Sequence, residues 1–351
     1  MLPPKLLRRL VLGPLAIVIA LAVAVLSPFL AVLTLAFGLR RLRPGRMRGL
    51  RLLYFALVWL AAEASALFMC LGLWVASGFG GRLSTEPYRS RHYAIMRWYL
   101  DAVARAAERT LGLRVEIDGP ECDAVSGDGP VIVLSRHAGP GDSFLLVHYL
   151  INRYGRRPRV VMKASLQLDP GLDVVTNRLP NVFIQHRRAG KRLFVDQIRR
   201  LARGLGPGDA LVLFPEGGNW TPARWQRRIR RLEHAGRTDL AARARRMPNV
   251  LGPRAGGALA AIAACPGADV IFVAHAGLDR LVSVADVWRS LPMDQIVRAT
   301  WWRVPAGEVP GPGDREAQLT WLYDWWQRID AWISQTRPGE AIDAGDASRP
   351  R

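Results

Sequence analysis

The sequence predicts an α/β fold: a mixed, largely parallel sheet covered by helices and preceded by N-terminal membrane helices. Three observations carry that expectation. Apolar runs of strand length recur beyond Arg82, helical patterns separate several of them, and two long apolar stretches with almost no charge occupy the first 82 residues. Strands that alternate with helices favour a parallel or mixed sheet, because each crossover helix packs on a face of the sheet it joins.

Half of the 351 residues are hydrophobic and 22% are charged, so the chain has material for a buried core and is neither globally disordered nor a small stapled fold. The formal net charge is +20, and every basic residue except Lys5, Lys163 and Lys191 is arginine. Such a field attracts polyanions, whether nucleic acid, anionic headgroups or phosphorylated reactants, and position along the chain has to choose among them. Cys70, Cys122 and Cys265 are widely spaced, odd in number and without a CxxC pair. That argues against a disulfide framework and against a zinc site; no metal is expected.

Leu10 to Leu39 carries no charged side chain, and Leu52 to Gly81 is interrupted only by Glu63. Each exceeds the roughly 20 apolar residues that a hydrocarbon core requires, so residues 1–82 read as membrane-anchoring segments. A cleaved signal peptide is the alternative for the first stretch, but the run is longer than an ordinary signal core and a second one follows. Arg40, Arg41, Arg43, Arg46, Arg48 and Arg51 crowd the connection, which the positive-inside rule keeps in the cytoplasm. Two full crossings would put both chain ends outside. A break at Ser27-Pro28 would instead fold the first stretch into a re-entrant or interfacial hairpin, with the arginines on anionic headgroups. The expectation is shallow, monotopic insertion in the cell membrane, with the soluble part facing the cytoplasm.

Residues 83–336 read as one α/β domain and 337–351 as a disordered tail. An amphipathic helix is expected over Tyr88 to Leu111, then a short strand over Leu113 to Asp118 and a Gly/Asp-rich loop to Pro130. Strands follow at Val131 to Ser135, Arg159 to Met162, Val182 to Gln185, Ala210 to Phe214 and Val270 to Ala274. Helices are expected over Ser143 to Tyr154, Leu193 to Leu205 and Gly256 to Ala264. Arg224 to Arg246 is an Arg-dense helical segment broken near Gly236, read as a solvated or membrane-facing surface. Asp314 to Gln335 spaces Leu322, Trp325, Trp326, Ile329, Trp332 and Ile333 as one apolar helix face, which suits core packing.

Polar residues sit directly after these apolar runs: Arg136 and His137 after the first, His186, Arg187 and Arg188 after the third, Pro215 and Glu216 after the fourth, and His275 after the last. In open α/β sheets ligands bind beyond the carboxyl ends of the strands, so parallel strands would bring these residues to one crest. His137 and Asp142 form an HxxxxD pattern across a Gly-Pro-Gly turn. If the turn folds back, Asp142 meets one ring nitrogen and leaves the other to take a proton from an alcohol, the base and orienter of a triad without its enzyme nucleophile. The plainer reading makes Asp142 a helix N-cap and His137 an incidental loop residue. In the Phe214-Pro215-Glu216-Gly217 element the proline ends strand pairing, Glu216 is presented at the strand tip, and Gly217 and Gly218 permit a tight turn with amides open to an anion.

Taken in this order after a membrane segment, these elements resemble the lysophosphatidic acid acyltransferase family of the glycerolphosphate acyltransferase superfamily, over roughly Ser135 to Ala276. The resemblance implies that His137 is the general base, that Asp142 orients it, and that Phe214, Pro215, Glu216 and Gly217 help hold the acceptor. Lys163-Ala164-Ser165-Leu166 is similar to the family segment between the first two motifs. Asn181 to Arg187 resembles its FIxR element, although His186 stands where arginine is usual and Arg187 and Arg188 follow. Val250 to Gly257 resembles a PRxxG segment that contains Arg254, and Gly218-Asn219 replaces the common Thr-Arg pair after FPEG. The implied activity is a membrane-bound O-acyltransferase that moves an acyl chain from acyl-CoA or acyl-carrier protein to a hydroxyl of a lysophospholipid, with no cofactor beyond that co-substrate. Arg187, Arg188, Lys163 and Arg254 would neutralise phosphates, and the partners would be membrane phospholipids, the lysophospholipid acceptor and the thioester donor rather than nucleic acid. A non-catalytic, membrane-tethered binder of anionic lipid or nucleic acid explains the charge but not His, Asp and Glu at strand ends. A thioesterase using the same base on water is the other alternative.

Overall fold

The computed structural model describes residues 2–40, 47–118, 129–139, 141–184, 191–279, 288–293 and 296–336. In chain order the elements are α1 (Gly13–Arg40), α2 (Arg48–Ala76), α3 (Glu86–Ala106), β1 (Arg114–Ile117), β2 (Val131–Ser135), α4 (Asp142–Asn152), β3 (Arg157–Lys163), α5 (Pro170–Thr176) and β4 (Val182–Ile184). There follow α6 (Lys191–Arg203), β5 (Asp209–Leu213), α7 (Pro222–His234), α8 (Thr238–Arg245), α9 (Ala255–Ala264), β6 (Asp269–Ala276), β7 (Ile296–Val304) and α10 (Arg315–Thr336). The expected strands recur within one to two residues at each end. Strand β7 and helix α5 carry no signal that the sequence reading recognised: β7 is broken by Arg298 and Arg303, and α5 is only seven residues long. Arg187, Arg188 and the 337–351 tail lie outside the described residues.

The chain divides into two compact units, Met1–Arg114 with Phe144–Lys191 and Ser283–Ile296, and Val115–Ser143 with Arg192–Val282 and Val297–Arg351. The first unit is built on α1 and α2, which are long and apolar enough to cross a membrane by length and composition. Helix α1 runs unbroken through Pro28, so the hairpin expected at Ser27-Pro28 does not form. The reason is local. Proline cannot donate to the carbonyl of Ala24 four residues back, and the Ser27 hydroxyl donates to that oxygen instead at 2.7 Å, so no polar group is stranded in an apolar setting.

Helix α2 lies antiparallel along α3. Arg51 donates to Thr110 O at 2.9 Å, Trp59 Nε1 to Tyr99 Oη at 2.8 Å, and Tyr88 Oη to Ala76 O at 2.6 Å, so contacts span the whole of α2. Ala66, Cys70, Tyr93, Met96, Leu100, Ile151 and Val175 make the shared core. Glu63, the single charge within the second apolar stretch, is buried and accepts from Gly171 N at 2.5 Å. A side chain at Gly171 would put its Cβ 2.6 Å from that carboxylate, which is why the close approach uses glycine. Arg8 and Arg9 bind the buried Asp173 at 2.9 and 3.2 Å and tie the N-terminus to α5. By contrast Leu10, Leu21, Val25, Phe29 and Val32 of the N-terminal helix are more than 60% exposed.

In the second unit the strands follow the order β1-β7-β6-β2-β5. β2 is parallel to both β5 and β6, and β7 is antiparallel to β6, which makes the sheet mixed as expected. All five residues of β2 and all five of β5 are buried, as continuous apolar runs require when both faces are covered. One cover is α10. Phe272 of β6 stacks on Trp325 at 4.5 Å and 7°, and meets Trp321 and Trp326 edge-on at 5.3 and 6.2 Å. The Arg-dense segment is two helices, α7 and α8, and Gly236 turns between them at φ +71°. Trp326 is fully buried, so Trp326→Ala should cost about 3–5 kcal/mol, seen as a lower urea midpoint with little change in the slope.

Candidate active site

The register of the parallel strands decides which residues meet. Leu134 pairs with Leu213 of β5 and Ser135 with Val273 of β6, so the chain leaves β2 at Arg136-His137 beside Phe214 on one neighbour and His275 on the other. The turn after β2 folds back as expected. His137 Nδ1 lies 3.1 and 3.0 Å from the two carboxylate oxygens of Asp142, the first residue of α4. Asp142 Oδ2 also accepts from Ala138 N at 2.7 Å and Gly139 N at 3.1 Å, and Oδ1 accepts from the Ser143 hydroxyl at 3.1 Å. The carboxylate therefore holds its own loop and orients the imidazole; as the first residue of α4 it bonds back to residues 137–139 and to the Ser143 hydroxyl, which is the orienter reading and not an N-cap. Burial favours its neutral form, but the hydrogen bond from His137, the imidazoles of His275 and His137 and the Gly139 amide outweigh it and bring the carboxyl down to about 2. The carboxylate takes Nδ1–H, so the His137 lone pair is on Nε2, which has no hydrogen-bond partner among the described residues. The ring leans on Phe214, with centroids 4.7 Å apart.

Glu216 does not stand at the strand tip facing a ligand. It is fully buried, and its two oxygens accept from His137 N at 3.3 Å and Leu251 N at 3.1 Å. It joins the loop that carries the base to the Val250–Gly257 segment. Burial pushes its carboxyl up to about 8, against the pull of Arg136 and of those two amides. Pro215 O accepts from Arg254 N at 2.8 Å, and Gly217 adopts φ +70° with the Arg254 side chain packed on its open face, where a Cβ would come within 3.2 Å of Arg254 Cδ. Arg254 is exposed there. Lys163 ends β3 in the first unit and is exposed as well.

Arg136 and His275, placed at the strand ends by the sequence, are tied into a frame with Asn249, Asp279 and Asp330, which the sequence did not single out. Arg136 is fully buried and donates to His275 O at 2.6 Å and Asn249 O at 2.9 Å, with an ion pair to Asp279. Asn249 N in turn donates to Asp330 Oδ1 of α10 at 2.7 Å, and burial pushes Asp330 up to about 6. The signal for Asp330 was an acidic residue four positions after Trp326 within an apolar helix face. Arg228 of α7 donates to Glu216 O at 2.8 Å, so one arginine of the dense segment serves the site rather than a solvated face.

Against known families, residues 114–272 match the family model described as Acyltransferase. That stretch holds every residue just placed around His137, except Asp279, His275 and Asp330. Residues 114–272 belong to the acyltransferase family. No curated protein matches the chain. A solved structure, the 1-acyl-sn-glycerophosphate (LPA) acyltransferase PlsC from Thermotoga maritima, is similar at 15% identity and a TM-score of 0.43, over 79% of this chain and 99% of that one.

Within the acyltransferase domain Glu216 has a measurable signature. A carboxyl raised from its ordinary range to about 8 holds a proton in the folded state that the unfolded chain has released, so it makes stability fall as pH rises through that interval. Burial lowers His275 to about 4, so its contribution changes only below its ordinary value of about 6.5, and Asp330 has ionised by about 6. The urea midpoint should therefore fall between about pH 6.5 and 8, and Glu216→Gln should flatten that slope.

Proposed function

We propose that this acyltransferase transfers an acyl chain from acyl-CoA or acyl-carrier protein to a free hydroxyl of lysophosphatidic acid or a related lysophospholipid at a membrane surface. The observation that carries the reading is the contact between Asp142 and His137 Nδ1 at 3.0 Å, with Nε2 unengaged beside it. His137 accepts the hydroxyl proton at Nε2 while Asp142 stabilises the imidazolium that forms. The substrate oxygen attacks the thioester carbonyl, the tetrahedral intermediate collapses with cleavage of the C–S bond, and the imidazolium returns its proton to the departing thiolate. Atoms balance without an enzyme nucleophile: an ester and a free thiol replace a thioester and an alcohol. Arg254, Lys163, Arg187 and Arg188 supply the cations for reactant phosphates, with Glu216 holding the base loop rather than touching the acceptor.

Membrane attachment rests on the exposed apolar face of α1 and on α2. Because α2 is braced along its length by α3, whose sequence carries Arg89, Arg91, Arg97, Asp101 and Arg105, a perpendicular crossing by α2 would drag those charges into hydrocarbon. Shallow, monotopic insertion from the cytoplasmic side avoids that cost.

Thiol release from acyl-CoA, measured with and without lysophosphatidic acid, tests the reaction. His137→Ala should lose about 10²–10⁴-fold in turnover and Asp142→Asn a smaller but large fraction, while release that is independent of the lysolipid would make the protein a thioesterase. Protease added to the outer face of intact cells, once past the outer envelope, should leave the chain beyond Arg82 uncut; cleavage there would refute the cytoplasmic placement.

A further inference from the structure

We propose that Arg224, Arg228 and Arg231 of α7 join Arg254 over the turn that follows Glu216 to bind a phosphomonoester dianion, the group that lysophosphatidic acid carries as its headgroup and acyl-CoA as its 3′-phosphate. The site deepens the acyl-transfer reading and rests on it. Arg224 Nη1 donates to Asn219 O at 2.9 Å and lies 3.4 Å from where a Cβ would stand at Gly218. Arg228 Nη2 donates to Glu216 O at 2.8 Å, and a Cβ at Gly217 would stand 3.2 Å from Arg254 Nε. Guanidinium groups from α7 and from the residue before α9 therefore lie on four consecutive residues, Glu216 to Asn219, and the two glycines leave room for them. Arg224, Arg228 and Arg231 follow one another at the four- and three-residue steps of a helix, so they line one side of α7.

No carboxylate answers these cations. In the same Arg-dense stretch Arg243 pairs with Asp324 and Arg245 with Glu233, whereas Arg224, Arg228, Arg231 and Arg254 make no ion pair among the described residues. Glu216 offers Arg228 only its backbone carbonyl and keeps its buried carboxyl for His137 N and Leu251 N. After burial, the charge of Arg254 does most to depress Arg228, which falls to about 10, and the charge of Arg231 depresses Arg254. Like charges gathered in this way repel one another. A multivalent anion removes that repulsion, and guanidinium forks match phosphate oxygens in pairs, whereas a headgroup that brings an ammonium adds to it. The turn is also bonded to both sides of the base: Trp220 N donates to His137 O at 2.8 Å, and His137 N to Glu216 Oε1 at 3.3 Å. A phosphate held over it therefore belongs to a reactant.

The test is steady-state kinetics of the full chain in mixed micelles, with lysophosphatidic acid as acceptor and either oleoyl-CoA or oleoyl-dephospho-CoA as donor. Arg224→Gln and Arg231→Gln, both at exposed positions, should each raise one KM about tenfold and keep kcat within about threefold of wild type. A rise in KM for lysophosphatidic acid assigns the site to the headgroup. A rise for oleoyl-CoA, with the dephospho donor used equally by variant and wild type, assigns it to the 3′-phosphate. Arg230→Gln makes the same change in net charge on a side of α7 turned away from the other three, and should move neither constant. Unchanged KM values in the Arg224 and Arg231 proteins, an equal rise in the Arg230 protein, or a rise shared equally by the two donors would overturn the proposal. A wild-type protein without lysolipid-dependent thiol release would remove the acyl-transfer reading and leave the anion site to inorganic phosphate. At equal ionic strength, phosphate in place of chloride should raise the thermal midpoint of wild type but not of an Arg224→Gln, Arg231→Gln double variant, and a wild type indifferent to the exchange would overturn the site itself.

Discussion

A guanidinium sealed inside the second unit governs the arrangement around His137. Arg136 follows β2 directly and has no access to water, and an uncompensated buried charge is strongly destabilising. Its bonds to His275 O and Asn249 O and its ion pair with Asp279 are therefore conditions of folding rather than additions to it. They draw together the end of β2, the end of β6 and the segment that precedes Arg254. Burial still pulls the guanidinium down to about 10, against the opposing influence of the Glu216, Asp142 and Asp330 carboxyl groups.

Around that cation the site is layered by titration. Asp142 is held ionised, Glu216 is pushed towards its neutral form, and His275 is held neutral, although the three lie within one small buried region. The difference follows from donors. Asp142 accepts from an imidazole, two amides and a hydroxyl, whereas Glu216 has one amide on each oxygen and complete burial to oppose it. Two carboxylates that looked equivalent as motif residues have separate work: one orients the base, and the other joins the loops that carry it.

Much of the fold was legible because the parallel strands are buried on both faces and therefore read as unbroken apolar runs. β7 was not, since Arg298 and Arg303 interrupt its apolar pattern. The helix break at Gly236 was legible from one residue, and the absence of a break at Pro28 was not, because Ser27 repairs the carbonyl that proline leaves open. In the site, His137 and Asp142 could be paired from spacing alone. Arg136 and His275 could be placed at the same crest as strand-end residues, but their ties to Asn249 and Asp330 could not, since those residues come from distant parts of the chain.

What the sequence by itself determined is every strand but β7, the loop that closes Asp142 on His137, and the apolar segments ahead of them, because each depends on residues within a few positions of one another. The tertiary structure decided the roles. Strand register put His275 beside Asp142, burial turned Glu216 from an exposed contact into an internal brace, and one arginine of a dense basic helix was recruited to the Glu216 carbonyl. Those outcomes depend on how much water each polar group keeps and on which donors face it, and both are set by packing between elements far apart in the chain.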